Sequence, residues 1–269
     1  MNLAANQKQC FDHIGNLHDL ADAIHNADKA VKLVDDRHPR KPKFLADLGY
    51  MHLYHFSRFS SVPDCRNAFS SMERAVNLTN EGHPDRPILL SSLATIQRYH
   101  FTCFSNLDDL QNAISNAQRA VAMTNDRVTS KPYLLSNLSD IQMACFEHFG
   151  DLSDLNNTIF NIEKAVELTE DAYIKPKLLL QLGYDQRCRF EHLGDLSDLE
   201  NSIANLKKAV NLTHDGDPAK VSCLSALGTS YECFFKHFGQ QVDLLASVSA
   251  FKAAAQLKAA YPHKAVHAA

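Results

Sequence analysis

The side chains best suited to chemistry in this sequence are its 14 histidines and seven cysteines. Cys145 precedes His148 by three residues, so a helix would place the thiol beside an imidazole that could activate it as a nucleophile. A catalytic pair should occur once, however, whereas a structural residue recurs with the period of a repeat. The same place before a turn is occupied in four of the repeats by a histidine: His13, His148, His192 and His237. We therefore interpret these histidines as structural and predict no catalytic residue.

His52 and His55 are a different case, because this pair is not repeated. They lie three residues apart and would share one face of a helix, and His100 stands where His55 stands one repeat earlier. Neighbouring helices lie roughly 10 Å apart, which is too far for these imidazoles to share one tetrahedral ion. We interpret them as groove or corner histidines, and we predict no metal site and no cofactor.

Composition and charge restrict the class of protein further. The chain has 269 residues, 45% of them hydrophobic, and a net charge of −4, which suits a continuous core and does not suit a polyanion-binding surface. Its apolar runs fall short of the about 20 residues that span a bilayer, and its start lacks the pattern of a signal peptide. An odd number of cysteines without a Cys-x-x-Cys pair indicates reduced thiols. We predict a cytoplasmic protein with no nucleic-acid partner and no membrane partner.

The elements that would carry these residues follow from a repeated segment. It reads Gly194-Asp-Leu-Ser-Asp-Leu-Glu-Asn-Ser-Ile-Ala-Asn-Leu-Lys-Lys-Ala-Val-Asn-Leu-Thr213, and a close copy starts at Gly150. The alanine of its Lys/Arg-Ala-Val signature recurs at intervals of 45, 45, 45, 44 and 44 residues, at Ala30, Ala75, Ala120, Ala165, Ala209 and Ala253. A fixed period of this length predicts an all-α solenoid of stacked helical hairpins.

Each repeat predicts two helices. In the fifth repeat Leu178 and Leu182 have helical spacing, and Gly194 should end the first helix. Ser197 and Glu200 have the spacing of a capping box, which should begin the second helix. The predicted first helices are 1–14, 42–59, 87–104, 132–149, 176–193 and 220–238, and the predicted second helices are 19–34, 64–79, 109–124, 154–169, 198–213 and 242–260. Together they form one domain over 1–269 with units 1–34, 42–79, 87–124, 132–169, 176–213 and 220–260.

Two departures from the repeat predict local differences in the structure. The second unit has Arg58-Phe-Ser-Ser-Val62 in place of the Gly-Asp-Leu corner, so its turn should differ. The first unit begins partway through the repeat, and the Ala-rich stretch from Ala253 to Ala269 provides no strongly polar capping helix. At least one end should therefore expose apolar surface, through which the chain could self-associate.

The repeat resembles the tetratricopeptide repeat (TPR). The resemblance rests on Leu182-Gly183, Ser202 and Ala209, together with the large apolar residues Leu179 and Leu206. It implies a right-handed α-solenoid of about six TPR-like helix-turn-helix units, each longer by about ten residues than the TPR unit. The closest form resembles arrays of large filamentous-fungal proteins, through Gly-Asp-Leu-Ser-Asp-Leu, Lys-Ala-Val-x-Leu-Thr and Gly-His-Pro-Asp-Arg-Pro. Such arrays are often fused to a nucleotide-binding oligomerisation domain or to a caspase-like CHAT peptidase domain, and neither pattern occurs in this sequence.

The resemblance also implies a binding surface, because TPR proteins bind partners along a concave groove lined by particular first-helix positions. Counted from the Leu-Gly pair, the candidates for partner binding are Lys43, Tyr50, Tyr54, Arg98, Tyr99, Asp140, Lys177, Tyr184, Arg187 and Glu232. Tyr and Arg are residue types that often anchor interfaces. The Lys/Asn clamp with which some TPR proteins hold a chaperone's C-terminal carboxylate is not reproduced, since Asp140 and Met143 occupy its places.

These observations predict a non-enzymatic protein-interaction scaffold that binds a peptide or a helix in the groove, or that regulates a fused or associated effector. An alternative from another class is a small-molecule-binding or enzymatic solenoid with a pocket around Tyr54, His55, Arg98, Tyr99 and His100. A closed cavity at those residues would favour the alternative. A third possibility is a fragment with no independent role outside a parent array.

Overall fold

The computed structural model describes residues 17–260, and within that range the regular structure is helical. The chain divides into two compact units, with the boundary between Asn125 and Asp126. The first unit contains α1 (Leu17–Leu33), α2 (Lys41–Phe59), α3 (Val62–Asn77), α4 (Arg86–Phe104) and α5 (Leu107–Ala122). The second contains α6 (Lys131–Phe149), α7 (Leu152–Leu168), α8 (Lys175–Leu193), α9 (Leu196–Leu212), α10 (Pro218–Phe238) and α11 (Gln241–Ala260). The predicted helix 1–14 and His13 lie outside the described residues.

Within each unit, consecutive helices pack as hairpins and each hairpin packs on the next. In the first unit α2 pairs with α3 and α4 pairs with α5, while α1 contacts α2 and α3 contacts α4. In the second unit α6 pairs with α7, α8 with α9 and α10 with α11, and the links between hairpins are α7 with α8 and α9 with α10. The predicted all-α, solenoid-type repeat of helical hairpins is therefore confirmed. Each hairpin buries its apolar stripe against its neighbours, as the period requires.

Small residues set the distance at which helices cross. The signature alanines Ala75, Ala120, Ala165 and Ala209 are all 0% exposed. At Gly183 an added Cβ would lie 2.6 Å from Leu206 Cγ, so only glycine permits this approach of α8 to α9. The Leu-Gly pair on which the TPR resemblance rests thus has a packing role here.

The corner between the two helices of a hairpin has one geometry throughout the described residues. Gly150, Gly194 and Gly239 have φ of +73°, +73° and +68°, and each backbone N–H donates to the carbonyl four residues earlier at 2.7 Å. Ser60 and Ser105 occupy the same place with φ of +52° and +53° and make the same 2.7 Å bond. The expectation that the turn after α2 should differ is therefore wrong. Serine adopts the left-handed conformation there at some cost in strain, because packing of the two helices imposes it.

The start of the second helix also differs from the prediction. α9 begins at Leu196, and its N-cap is Asp195, whose carboxylate accepts a hydrogen bond from Ser197 N at 3.0 Å. Asp151 caps α7 in the same way through Ser153 N at 2.9 Å. The prediction of a capping box at Ser197 is therefore wrong. The aspartate of Gly-Asp-Leu lies two residues earlier and accepts a hydrogen bond from a free N–H group of the first turn.

A basic residue at the start of each first helix has a role that the sequence analysis missed. Lys41 Nζ donates to Val31 O at 2.7 Å, and Lys220 Nζ donates to Thr213 O at 2.9 Å. These carbonyls end the preceding second helix, where a cation also favours the helix dipole. The ammonium of Lys41, although the residue is only 4% exposed, thus joins one hairpin to the next.

Candidate functional site

The candidate binding residues all lie on first helices, and all are exposed or half-buried. We call the set on α2 and α4 the first face: Lys43, Tyr50, Tyr54, Arg98 and Tyr99. We call the set on α6, α8 and α10 the second face: Asp140, Lys177, Tyr184, Arg187 and Glu232. That each face lines a concave groove stays a prediction.

The first face combines aromatic rings with guanidinium groups. Tyr50 Oη and Ser92 Oγ share a hydrogen bond that joins α2 to α4. Arg58 Cζ lies 5.6 Å from the ring centroid of Tyr54, within the range of a cation–π contact. Lys43 is exposed on the same helix. Tyr50 is therefore positioned by the neighbouring helix and Tyr54 by a residue of its own helix, which limits the conformational freedom that binding would remove.

Arg98 is the most distinctive group of the first face. Its Cζ lies 4.5 Å from the ring centroid of Tyr99, and Tyr99 in turn meets Phe56 edge to face at 6.1 Å. Arg98 Nε is buried, and no described residue accepts a hydrogen bond from it. Arg98 forms no hydrogen bond with a described residue, so the more accessible end of its half-buried guanidinium can donate to an oxygen acceptor from a partner.

The charges of the second face are largely paired within it. Arg187 Cζ lies 5.2 Å from the ring centroid of Tyr184, and the same guanidinium forms an ion pair with Glu191 one turn later. Glu232 Oε1 pairs with Lys236 Nζ at 2.7 Å. These pairs keep the side chains ordered on the surface of their helices, although exposed pairs of this kind add little stability.

The remaining residues of the second face lie on α6 and at the start of α8. Gln181 Nε2 donates to Asp140 Oδ1 at 2.7 Å, while Ser136 Oγ donates to Gln181 Oε1 at 2.8 Å. Lys177 Nζ lies 4.4 Å from the ring centroid of Tyr173. Gln181 therefore connects the exposed carboxylate of α6 to α8.

Asp185 on α8 is a functional candidate that the sequence analysis missed. The residue is 2% exposed, and burial raises the pKa of its carboxyl to about 8, with the charges of Asp140 and Glu147 adding to the rise. Its Oδ2 is buried and has no hydrogen-bond partner among the described residues. The equivalent residues of the other repeats carry no charge: Met51, Ile96, Ile141 and Ser230. An acid at a position that is otherwise uncharged was the signal that could have revealed it.

The unrepeated histidines are corner residues. His52 Nδ1 lies 2.7 Å from Asp64 Oδ1, and His55 Nδ1 lies 2.8 Å from Asp64 Oδ2. His100 Nδ1 lies 2.7 Å from Asp109 Oδ2 in the next hairpin. The imidazoles therefore contact the first turn of the second helix of their own hairpin, which is a corner position.

The same corner contact is made by an arginine in the second unit. Arg189 Nε donates to Asp198 Oδ2 at 2.8 Å and Nη2 donates to Oδ1 at 2.6 Å, which raises the pKa of the guanidinium. In the first unit burial acts to raise the pKa of Asp64, but hydrogen bonds from Ser61, His52 and His55 outweigh it and lower that pKa. A cation or imidazole from the first helix thus compensates a carboxylate at the start of the second.

The five residues predicted for the alternative pocket make separate contacts, and that pocket stays a prediction. The imidazoles of His55 and His100 are held by the second helices, whereas the guanidinium of Arg98 lies over Tyr99. A cleft of about 460 Å³ lies between α1, α2 and α3, and one of about 190 Å³ lies between α8, the end of α9 and the start of α10. None of the five residues lines either cleft.

The repeated histidines and the cysteines have packing roles. His192 meets Phe146 edge to face at 4.9 Å, and His237 meets Phe190 in the same way at 4.8 Å. Burial raises the pKa of the Cys145 thiol to about 11, so it stays protonated and is a poor nucleophile. Across residues 17–260 no group of three His, Cys, Asp or Glu side chains is arranged to hold a metal ion. In the same range no helix is both long enough and apolar enough to cross a bilayer.

Both units thus consist of TPR-like helical hairpins that display aromatic and charged side chains on their first helices. Solved structures share this fold. BtubC (BKLC) from P. vanneervenii is 16% identical over 91% of this chain and 92% of its own, with a TM-score of 0.64. A kinesin-light-chain-type protein of nearly identical TPR-like repeats from Podospora anserina is 11% identical over 84% of this chain and 99% of its own, with a TM-score of 0.61.

A third solved structure extends the comparison to a longer protein. A monomeric mutant of IFIT1, crystallised with Gppp-AAAA, is 14% identical over 95% of this chain and 52% of its own, with a TM-score of 0.52. At these identities the likeness shows the fold alone. No family model matches the sequence, and no curated protein matches it.

Proposed function

We propose that the protein is a non-enzymatic scaffold that binds a peptide or a helix of another protein along its first helices. The TPR-like fold supports an interaction scaffold in general. The observation that carries the finer proposal is Arg98, whose half-buried guanidinium stacks on Tyr99 at 4.5 Å and forms no hydrogen bond with a described residue. A partner that supplies an oxygen acceptor and an apolar contact would satisfy both groups, as interface anchors of this type commonly require.

The setting that we propose follows the sequence expectations. The protein works in the cytoplasm, residues 1–269 act as one TPR-like domain, and they represent part of a fungal array of the TPR/CHAT type. The first face carries only two basic residues among three tyrosines, and the second face carries charges of both signs. Neither face forms a continuous basic stripe, which favours a protein partner over a nucleic acid.

Self-association through α11 forms part of the proposal. The helix exposes Val242, Leu245 and Val248, spaced by three residues, at 63%, 62% and 55% of their surface. An exposed apolar stripe of this kind favours burial against a second copy. Light scattering at rising concentration should show a dimer or larger species that Leu245→Glu abolishes. A monodisperse monomer at the highest concentrations would contradict this part.

The main proposal is tested by selecting ligands and then mapping their contacts. A displayed peptide library is panned on the immobilised chain, and the affinity of each enriched peptide is measured for Arg98→Ala and Tyr184→Ala. Arg119→Ala is the matched control, because Arg119 is exposed on the second helix α5. At least one first-helix variant should weaken binding while the control does not. Failure to enrich any peptide, or peptides insensitive to both variants, would overturn the proposal.

A further inference from the structure

We propose that the second face recognises a basic side chain, lysine or arginine, in the partner segment. The inference deepens the proposed function, because it specifies what one face binds, and it therefore rests on that function. Tyr184 supplies an aromatic wall, and Asp140 and Glu147 supply the carboxylates that a cation needs. Asp185 supplies a fourth, buried group beneath them.

The aromatic wall is accessible and already accommodates a guanidinium. Tyr184 is 44% exposed, and Arg187 lies over its ring at 5.2 Å while remaining paired with Glu191. Burial raises the pKa of the Tyr184 hydroxyl, and the charge of Glu147 is the next largest contribution. The charge of Glu147 on α6 thus acts at this hydroxyl, and its negative potential would favour a cation bound on the ring.

The two surface carboxylates lie on one side of α6. Asp140 and Glu147 are seven residues apart, which places them on the same side of the helix two turns apart. Asp140 accepts a hydrogen bond from the uncharged amide of Gln181 at 2.7 Å, which orients the carboxylate. Glu147 is exposed and forms no ion pair within the described residues. An arriving ammonium or guanidinium would therefore meet a preformed negative potential.

The buried carboxyl of Asp185 is the second observation that points to a cationic ligand. It is 2% exposed, its Oδ2 has no partner among the described residues, and the uncharged equivalents elsewhere show that the fold does not require it. A buried carboxylate without a partner costs stability, so the group keeps its proton until a compensating positive charge is bound. The groups that act on it are the carboxylates of Asp140 and Glu147 and the hydroxyl of Ser139, all from α6.

Binding of a cation should be coupled to the proton of Asp185. The like charges of Asp140 and Glu147 add to burial in holding that proton, and a bound cation would offset them. The carboxyl would then ionise more readily, so a proton leaves as the basic ligand binds. By linkage, affinity for a basic ligand should rise with pH through the neutral range.

The experiment uses peptides that carry their own fluorophore, since the chain contains no tryptophan. One Gly/Ser peptide carries a tryptophan and two arginines, and in the control peptide both arginines are replaced by citrulline, which keeps the shape and removes the charge. Both are titrated into the full chain, into Asp140→Asn/Glu147→Gln, and into Glu167→Gln/Glu200→Gln. The last variant removes the same charge from the exposed second-helix residues Glu167 and Glu200.

The arginine peptide should bind roughly three- to tenfold more tightly than the citrulline peptide, a modest gain that suits partly exposed charges. This preference should disappear in Asp140→Asn/Glu147→Gln and persist in Glu167→Gln/Glu200→Gln. Affinity should rise between about pH 6 and about pH 9 in the native chain, and Asp185→Asn should remove most of that rise. Equal affinity for both peptides, no binding of either, or equal losses in the two double variants would overturn the inference.

The experiments distinguish a failure of the basic-side-chain site from a failure of the proposed function. If library-selected ligands depend on Arg98 while the arginine preference is absent, the scaffold proposal stands and only the basic-side-chain site fails. If the arginine preference follows Asp140 and Glu147 but no library peptide depends on Arg98, the basic-side-chain site stands and only the assignment of Arg98 as an anchor fails.

Discussion

The two units use equivalent helical positions to display different chemistry. The first face carries Lys43, Arg98 and three tyrosines, with no acid among its residues. The second face carries Asp140 and Glu232, and its basic residues Lys177 and Arg187 already stack on tyrosines. The residues at the hairpin junctions recur in both units, whereas the exposed first-helix residues have diverged. In a repeat protein of this kind, specificity for partners can change without altering the packing that supports it.

The same contrast appears inside the hairpins. At two equivalent corners the aspartate at the start of the second helix has a partner on the first helix, which is His100 in the first unit and Arg189 in the second. Each corner also needs a left-handed residue, and the first unit uses Ser60 and Ser105 where the second uses glycine. Different residue types thus occupy equivalent places in the hairpin corner, and we expect them to contribute differently to the free energy of unfolding.

The largest effect is expected from a substitution that removes the buried acid of α8, Asp185. Asp185→Ile installs the residue found at the equivalent Ile96, and it should stabilise the second unit by roughly 2–4 kcal/mol near pH 8. The raised pKa means that the folded chain keeps a proton the unfolded chain loses above about pH 4. Native stability should therefore fall as pH rises from about 4 to about 8, and the variant should lack that slope.

Urea unfolding at several pH values checks this prediction. Asp185→Asn is the companion variant, since it removes the ionisation and keeps the shape. A native chain whose stability does not fall across this range, or an isoleucine variant less stable than the native chain, would contradict the assignment of Asp185 as an uncompensated buried acid.

The next largest effect is expected at the first-helix residues that bind the aspartate of the corner. Arg189→Met leaves the Asp198 side chain, only 3% exposed, without its cation, and should cost roughly 2–4 kcal/mol. His100→Phe in the first unit removes a single hydrogen bond and should cost less, about 1–2 kcal/mol. A double-mutant cycle with Asp198→Asn, followed by thermal unfolding, measures the coupling. Equal costs at the two corners would show that histidine and arginine contribute equally there.

Partner binding provides the sharpest comparison of the two faces. Arg98→Ala should weaken a ligand of the first face, and Tyr184→Ala a ligand of the second face, each by roughly 1–2 kcal/mol without a loss of folding. A ligand confined to one face should respond to only one of them. Isothermal titration with library-selected peptides distinguishes the cases, and circular dichroism confirms folding. A ligand that ignores both changes would exclude the first helices as its site.

The smallest effects are expected from exchanging serine and glycine at the corners of the hairpins. Ser60→Gly and Ser105→Gly should each stabilise the first unit by roughly 0.5–1 kcal/mol, because glycine adopts a φ near +52° without a Cβ clash. Gly194→Ser should destabilise the second unit by a similar amount, with Gly216→Ser as a control in a loop whose φ is not positive. Thermal unfolding measures each shift. Destabilisation by Ser60→Gly would mean that the serine side chain contributes more than its strain costs.

Much of the fold could be predicted because it depends on spacing along the chain. Helices α2 and α4 to α10 begin and end within about three residues of their predicted bounds, since prolines, glycines and apolar periodicity mark them locally. The capping box at Ser197 failed because the Asp of Gly-Asp-Leu offers a closer acceptor. The hydrogen bonds of Lys41 and Lys220 could not be predicted, because their acceptors are carbonyls at the end of the preceding helix.

The candidate site could be predicted less well. Exposure of the first-helix residues followed from the repeat, but their contacts did not, because rotamers decide whether Arg98 turns to Tyr99 or to a carboxylate. His55 and His100 were assigned to a pocket on spacing alone, and their contacts with Asp64 and Asp109 depend on how α2 and α4 pack against the next helix.

The amino-acid sequence by itself determined the period, the helical hairpins and the small residues at their crossings, because each of these depends on regular spacing along one chain. Only the tertiary structure decided which carboxylates the histidines contact and that Asp185 lies buried with an unsatisfied oxygen. These properties depend on the rotation of one helix against its neighbour. A repeat of 44 or 45 residues specifies that two helices meet, but not which side chains meet between them.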